Sequence, residues 1–332
     1  MRRNWSLILL VVLLSVTLIA GCGGAKQEEP KKEEPKVEAP KYPEKSITYV
    51  IPFDAGGQSD VEARRQQPHL EKSLGQKVLI EYKPGAGGAV GWTELTRAKP
   101  DGYYMTGMNI PHIILQPAQR SDAGYKTEDI NPVAIFQATP IGLAVLNDSP
   151  FQTIDEFIAY AKENPGKITI AGSGTLSGHD IARLQLEKYA GIKTEYIPFT
   201  GAAPQLQAFL GKHTMAILAN SNDLVQHKDK IRVLAFGSTE RYEVFPDSPT
   251  FVEKGFDMLP SIDRGVAVPP GTPADVIKTL EAAFMQIAND PDIKKQMIEQ
   301  GFVPKAMGQE ESKAYIEKTK KQYLEILAEV KK

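Results

Sequence analysis

Apolar runs of strand length alternate with helical patterns along most of this chain, and that alternation constrains the fold more than any other feature. After residue 45, eight such runs read as strands, with amphipathic helical segments between most of them. The predicted strands are 46–53, 77–82, 103–108, 133–147, 167–171, 195–198, 215–219 and 233–237, and the predicted helices include 59–74, 153–164, 180–190, 203–211, 273–289, 292–301 and 310–331. The pattern predicts an α/β fold of βαβ units with mostly parallel sheets, helical throughout after Val268.

Two of the predicted strands are followed by glycine-rich loops, DAGGQSD at 54–60 and SGTLSGHD at 173–180. In each loop a serine stands three residues before an acidic residue, Ser59 before Glu62 and Ser177 before Asp180, which is typical of a helix-opening capping box. A helix start presents free N–H groups and the positive end of a dipole, so it can receive an oxyanion without a basic side chain. The two loops therefore predict a site for a small dianion, with a purely structural role as the alternative.

Signatures of other functions are weak. The 39 Lys and Arg nearly balance the 41 Asp and Glu, so no net field favours nucleic acid. The run 85–90 lacks the last glycine of a dinucleotide fingerprint, and neither Ser173 nor Ser177 stands in a nucleophile elbow. One cysteine and five scattered histidines predict no metal cluster. We expect no cofactor and no catalysis; an enzyme would have to use His179, Asp60 and the serines.

The N-terminal segment reads as a targeting sequence. Arg2 and Arg3 precede an apolar stretch that is short for a membrane span and ends in LIAGC at 18–22. This ending resembles the lipobox of bacterial lipoproteins, which implies a signal peptide at 1–21 and a lipid anchor on Cys22; an uncleaved anchor is the alternative. Residues 22–45 are rich in Pro, Lys and Glu, which predicts a disordered tether between the membrane and a folded body.

Seven ordered motifs from residue 46 onward resemble those of the solute receptors of tripartite tricarboxylate transporters, also called Bug proteins. They are PF at 52–53 with GGQSD at 56–60, LGQ at 74–76, KPGAGG at 83–88, AKPDGY at 98–103, PFTGAAP at 198–204, PTFVEKG at 249–255 and PPGTP at 269–273. The resemblance implies a two-lobed periplasmic-binding-protein fold of type II, with a ligand cleft between two Rossmann-like lobes. Lobe 1 would comprise 46–139 with 264–332, and lobe 2 would comprise 140–263.

The resemblance also implies the function. The protein would capture a small carboxylate and deliver it to the membrane permease subunits of a tripartite tricarboxylate transporter, as a lipid-anchored monomer in the cell envelope. The ligand-binding residues carried over by position are Phe53, Ala55, Gly56, Gly57, Gln58, Ser59 and Asp60 in lobe 1, and Ser173, Thr175, Ser177, His179, Thr200 and Gly201 in lobe 2.

Three residues depart from the family pattern and bear on the choice of solute: Asp54, Leu176 and Asp263. Because glycine, serine and threonine rather than basic residues stand at the predicted helix starts, we expect Gly57→Val to weaken binding most, then Ser177→Ala, then Arg264→Ala. A hydrolase that uses the cleft, and a sensor or scaffold lipoprotein without a transport role, are the alternatives.

Overall fold

The computed structural model describes residues 42–175 and 177–330. The predicted signal peptide, Cys22, nearly all of the tether and Leu176 lie outside the described residues. The described strands are β1 (Ile47–Ile51), β2 (Val78–Tyr82), β3 (Tyr104–Ile110), β4 (Asn131–Leu146), β5 (Thr169–Gly172), β6 (Glu195–Pro198), β7 (Ala216–Asn220), β8 (Ile231–Phe236), β9 (Ser261–Val268) and β10 (Val303–Met307). The described helices are α1 (Gln58–Leu74), α2 (Ala89–Arg97), α3 (His112–Gln119), α4 (Ile154–Glu163), α5 (Gly178–Ala190), α6 (Ala202–Leu210), α7 (Ser221–Gln226), α8 (Ala274–Asn289), α9 (Pro291–Glu299) and α10 (Gln309–Val330).

Strand β4 is shared by two sheets. Its first part, residues 131–140, pairs with β9 in a sheet of order β2-β1-β3-β9-β4, and β10 also pairs with β4 there. From Ile141 onward β4 pairs with β7 and β8 in a second sheet of order β4-β7-β5-β6. We call each sheet with its covering helices a lobe, the first lobe containing β1 and the second containing β5.

The predicted α/β class is confirmed, but the prediction of mostly parallel sheets is wrong. Only β1 with β2 and β3, and β5 with β6 and β7, pair in parallel among the described strands. Every partner of β4 is antiparallel to it, and so is β3 to β9. The reason is that the chain crosses between the lobes in extended strands, which can pair without a helical crossover.

Two strands were absent from the sequence-based prediction, and β10 contradicts the expectation of helix alone after Val268. Its sequence, VPKAM, has a proline and a lysine and lacks the alternation of a half-buried strand. Strand β9, SIDRGVAV, contains Asp263 and Arg264, which are both buried. Charged residues inside a strand remove the apolar signal, and only tertiary partners make their burial possible.

Each lobe has its own apolar core. In the first lobe the rings of Tyr49 and Phe136 pack on Phe284 of α8, with centroids 6.3 and 5.9 Å away. In the second, Phe157 of α4 lies 5.4 Å from Phe151, centroid to centroid, within a separate cluster. The C-terminal helix α10 reaches both lobes, because Leu327 clusters with Leu115 of α3 and Ile181 of α5. The lobes are thus separately packed bodies joined by β4, β9 and α10.

Candidate functional site

A small cavity lies between the lobes, where β1, β3, β5, β6 and β7 end. This is the edge at which open α/β sheets bind ligands. The cavity measures about 30 Å³, room for about two water molecules, so the lobes must part before a larger solute can enter. Its lining residues are Phe53, Asp54, Gly57, Gln58, Ser59, Asn109, His112, Ser173, Gly201, Ala202, Ala203, Pro204, Asn220, Ile262 and Arg264. We call this cavity the cleft.

The start of helix α1 lines the cleft without a side-chain cap. The loop before it turns at Gly56, whose φ of +79° favours glycine, and the Gly56 N–H donates to Asp60 Oδ2 at 2.8 Å. Gly57 is the N-cap, and its carbonyl accepts from Asp60 and Val61. Within the described residues, the N–H groups of Gln58 and Ser59 find no acceptor. They are free to bind an anion.

The capping box predicted for Ser59 is wrong. Ser59 lies inside the first turn, and its hydroxyl is 3.5 Å from the Asn109 side chain instead of capping the helix. Glu62 forms an ion pair with Arg65 and accepts from Gln66 at 2.9 Å. Glycine at the N-cap leaves the helix start uncapped, which a serine there would not have done.

The start of helix α6 is the second uncapped helix end at the cleft. Gly201 is its N-cap, makes no side-chain hydrogen bond, and is followed by Ala202 and Ala203, whose N–H groups have no acceptor within the described residues. Helices α1 and α6 belong to different lobes, so their positive ends approach the same cavity from both sides.

The start of helix α5, the second predicted anion site, does not line the cleft. Ser177 caps this helix by accepting from the Asp180 N–H at 3.3 Å, and its hydroxyl also lies 3.3 Å from the Tyr196 hydroxyl. Ser177 is completely buried. Because its own side chain already occupies the helix start, α5 has less to offer a ligand than α1 or α6.

The predicted ligand-binding residues divide into two groups. The structure brings Phe53, Gly57, Gln58, Ser59, Ser173 and Gly201 together in the cleft lining. The others, which do not line it, are Ala55, Gly56, Asp60, Thr175, Ser177, His179 and Thr200. Asp60, for example, binds the Gly56 N–H, the Tyr82 hydroxyl at 2.8 Å and Arg64 at 2.8 Å. Its carboxylate therefore stabilises the conformation of the loop and does not line the cleft.

His179 does not line the cleft but holds two residues that do. Its Nδ1 accepts from the Ser173 N–H at 3.1 Å and lies 2.8 Å from the Ser173 hydroxyl, while Nε2 lies 3.3 Å from Asn220 Oδ1. The backbone donor at Nδ1 assigns the ring proton to Nε2, which donates to Asn220. Burial lowers the pKa of His179 to about 3, so the ring is neutral at pH 7. His179 thus positions two lining residues.

Arg264 is the main site residue that sequence reasoning missed. It is 5% exposed and lines the cleft from β9, where its Nη1 donates to Thr139 Oγ1 at 2.6 Å. Its Nε has no hydrogen-bond partner within the described residues. Burial lowers its pKa to about 10, against the attraction of Asp223, Glu62 and Asp263, so it stays charged at pH 7. Recognising β9 as a strand would have been the signal needed to find it.

One hydrogen bond of the site joins the two lobes directly. Gln58 Nε2 of α1 donates to Asp223 Oδ2 of α7 at 2.6 Å. Burial raises the pKa of Asp223 to about 6, and the attraction of Arg264 opposes that rise. His112, also in the lining, has its pKa lowered to about 3 by burial, and its Nδ1 lacks a partner within the described residues. The cleft therefore combines neutral imidazole, amide groups and a few buried charges.

Comparison with known proteins identifies the family. The model of the tripartite tricarboxylate transporter family receptors matches residues 62–331 of the chain. The chain belongs to this receptor family. The resemblance found in the sequence motifs is thereby confirmed. A Cupriavidus necator relative, described as the UPF0065 protein in the gbd 5'region, is 29% identical over 283 residues, covering 85% of this chain and 86% of the relative.

Solved structures agree with the family and confirm the two-lobed fold. The periplasmic binding protein BugD is 28% identical with a TM-score of 0.81, and the alignment covers 87% of this chain and 98% of BugD. MatC of Rhodopseudomonas palustris, solved with bound malate, has 24% identity and a TM-score of 0.80, with 86% of this chain and 99% of MatC covered. Between residues 42 and 330, Leu176 excepted, no helix combines the length and apolarity needed to cross a membrane.

Proposed function

We propose that this receptor captures a small carboxylate in the cleft and delivers it to the permease subunits of a tripartite tricarboxylate transporter. The observation that carries the proposal is the convergence of two uncapped helix starts, one from each lobe, with Arg264 on a single cavity. Family membership supports the permease as partner. The malate bound to MatC supports a carboxylate as ligand.

The proposed contacts can account for a useful affinity. Four hydrogen bonds from N–H groups to a charged carboxylate contribute about 1.5–3 kcal/mol each and must offset an association cost of about 4–15 kcal/mol. Only at the favourable end of both ranges does the difference reach about −8 kcal/mol, a dissociation constant of roughly 1 μM, so binding of this strength needs the added contribution of Arg264. Of the predicted ligand residues, we propose Phe53, Gly57, Gln58, Ser59, Ser173 and Gly201 as direct contacts, with Arg264 added.

Binding would close the cleft by rotation about the two crossing strands. We place the hinge in 138–143 and 259–265, with 46–139 and 264–332 as one lobe and 140–263 as the other. Strand β4 changes partners between Pro140 and Ile141, and the chain returns to the first lobe from Pro260 into β9. Closure is favoured because a ligand touches both lobes only when they are together. Small-angle scattering should show a smaller radius of gyration with ligand than without.

The test is calorimetric titration of the protein with monocarboxylates, dicarboxylates and tricarboxylates. Ligand at 100 times its dissociation constant should also add about 2.7 kcal/mol to the free energy of unfolding. If no member of the panel produces a binding heat or raises the melting temperature, carboxylate capture is contradicted. Neutral amides of the same acids serve as controls, because they lack the charge that the helix starts and Arg264 would bind.

Attachment to the envelope is a separate part of the proposal. The lipobox-like ending at Cys22 and the charged, proline-rich segment after it support a lipid anchor. Cells expressing the wild type should incorporate radioactive fatty acid into the protein, whereas Cys22→Ala should not. Cys22 is the only cysteine of the chain, so equal labelling of the two proteins would contradict the anchor.

The hydrolase alternative has one observation in its favour, the 2.8 Å contact between the Ser173 hydroxyl and His179. Two facts weaken it. The same Nδ1 already accepts from the Ser173 backbone N–H, and a pKa of about 3 makes His179 a poor base at neutral pH. Membership in a receptor family also favours binding over hydrolysis, and assays on carboxyl esters and amides would detect any hydrolysis.

A further inference from the structure

The cleft contains an acid, Asp54, whose carboxylate pairs with no cationic side chain among the described residues. Asp54 lines the cavity and is partly exposed, and its carboxylate forms no hydrogen bond or ion pair within the described residues. Its Oδ2 faces the start of α6, 3.8 Å from the position that a Cβ on Gly201 would occupy. The positive end of α6 attracts this carboxylate, whereas a second carboxylate from a ligand would be repelled by it and a positive group on the ligand would be attracted.

The other charges at the cleft are already balanced. Glu62 forms an ion pair with Arg65. Arg264 and the buried Asp223 attract each other. The histidines His112 and His179 are neutral at pH 7, because burial lowers the pKa of each to about 3. Asp54 therefore leaves the cleft with one negative charge in excess.

The polar groups at the cleft include both donors and acceptors. The free N–H groups of α1 and the unpartnered Nε of Arg264 are donors suited to a carboxylate. Asp54 Oδ1 and Oδ2 are acceptors suited to an ammonium group. Both kinds of group line the same cavity, so a short molecule held there after the lobes have parted would lie near both. A second carboxylate on that molecule would instead be repelled by Asp54.

We infer that the cleft selects small carboxylates that also carry a protonated amine, with Asp54 as the acceptor of the ammonium group. The inference rests on the proposed function, because it assumes that the cleft binds a carboxylate. It deepens that function by naming the class of solute: a zwitterionic or monoanionic amino acid is favoured over the dicarboxylate with the same carbon skeleton.

Matched pairs of probes test this selection. Succinate is compared with L-aspartate, glutarate with L-glutamate, and butanoate with 4-aminobutanoate, each titrated at pH 7 by calorimetry into the whole chain. In the wild type, the amine-bearing member of at least one pair should bind about 10-fold more tightly or better. Asp54→Asn should weaken that member by about 10-fold and strengthen binding of a dicarboxylate. Asp247→Asn, at an exposed site away from the cleft, is the control and should change neither.

Three outcomes would overturn the inference. In the first outcome, dicarboxylates bind the wild type as tightly as their amino partners, and Asp54→Asn changes neither affinity. Carboxylate capture would then still hold, but Asp54 would have no role in selecting the ligand. Equal strengthening of every probe by Asp54→Asn shows that the acid merely competes for the α6 helix start. Absence of binding by all six probes contradicts both this inference and the proposed function. Folding of the variant is not at risk, because the Asp54 carboxylate has no partner among the described residues and the backbone bond from the Gly57 N–H to the Asp54 carbonyl is kept.

Discussion

This molecule contains two kinds of helix start, with and without a side-chain cap. Helix α5 begins at a serine whose hydroxyl binds the Asp180 N–H, and this helix start does not line the cleft. Helices α1 and α6 begin at Gly57 and Gly201, have no side-chain cap, and both line the cleft. A side-chain cap takes up a donor that an anion would use, so among the helix starts near the cleft the uncapped glycine starts are better candidates for an anion site than the serine-capped start.

Substitution of Arg264 tests whether the uncapped helix starts bind a carboxylate on their own. We expect it to have the largest effect on stability among the variants considered. Arg264→Gln removes the buried positive charge that attracts Asp223, whereas Glu62 keeps Arg65, so we expect a loss of about 3–5 kcal/mol in the free energy of unfolding, measured with urea. Arg264→Lys keeps the charge and should fold, but it should bind ligand at least about 10-fold more weakly because it lacks the fork of donors. Unchanged affinity in Arg264→Lys would show that the helix starts are sufficient to bind the carboxylate. The order of effects expected from sequence, with Arg264 last, would then hold.

Gly57→Val tests the uncapped start of α1. A Cβ at this position would lie 3.3 Å from the Asp54 carbonyl, and a branched side chain would crowd the free N–H groups of Gln58 and Ser59. We expect affinity to fall about 100-fold, or about 2.7 kcal/mol, by calorimetry. Gly211→Val is the matched control, since its Cβ would lie 3.2 Å from the Gln207 carbonyl at the far end of α6. Equal affinity loss in both variants would point to general distortion.

Ser177→Ala tests the capped start. Removal of the hydroxyl costs the cap, so the free energy of unfolding should fall by about 0.5–2 kcal/mol while the affinity for ligand stays unchanged. The sequence-based expectation placed this variant second in loss of affinity. A clear fall in affinity with normal stability would show that α5 contacts the ligand after all and would break the comparison between the two kinds of start.

Asp223 ties the start of α1 to the second lobe, and its effect depends on pH. The folded protein holds its proton more tightly than the unfolded chain, since the pKa rises from 3.8 to about 6. Protonation therefore favours folding, and the contribution of this group should grow by about 1 kcal/mol as the pH falls from 7 to 5. The measurement is the melting temperature at both pH values in wild type and Asp223→Asn. Asp223→Asn keeps an acceptor for Gln58 but has no carboxyl group to protonate, so its stability should not gain from this site at low pH. An identical dependence of melting temperature on pH in the two proteins would contradict the raised pKa of Asp223.

Local sequence signals predicted much of the fold. Eight of the described strands and the long helices were visible as apolar periodicity, and 195–198 coincides with β6. Ser177 was correctly predicted as a cap. The misses share a cause: β9 and β10 contain charged residues or proline, and their pairing with β4 holds them in place although their own pattern is weak.

The sequence by itself determined the alternation of strands and helices, the glycine turns and the membership in the receptor family. These depend on periodicity, caps and motifs, which act over a few residues. Only the tertiary structure decided which helix starts meet at the cleft and that Arg264 lies between them. Gln58 contacts Asp223 across 165 positions, and Thr139 contacts Arg264 across 125. Such contacts depend on how β4 and β9 cross between the lobes, and no local pattern encodes that crossing.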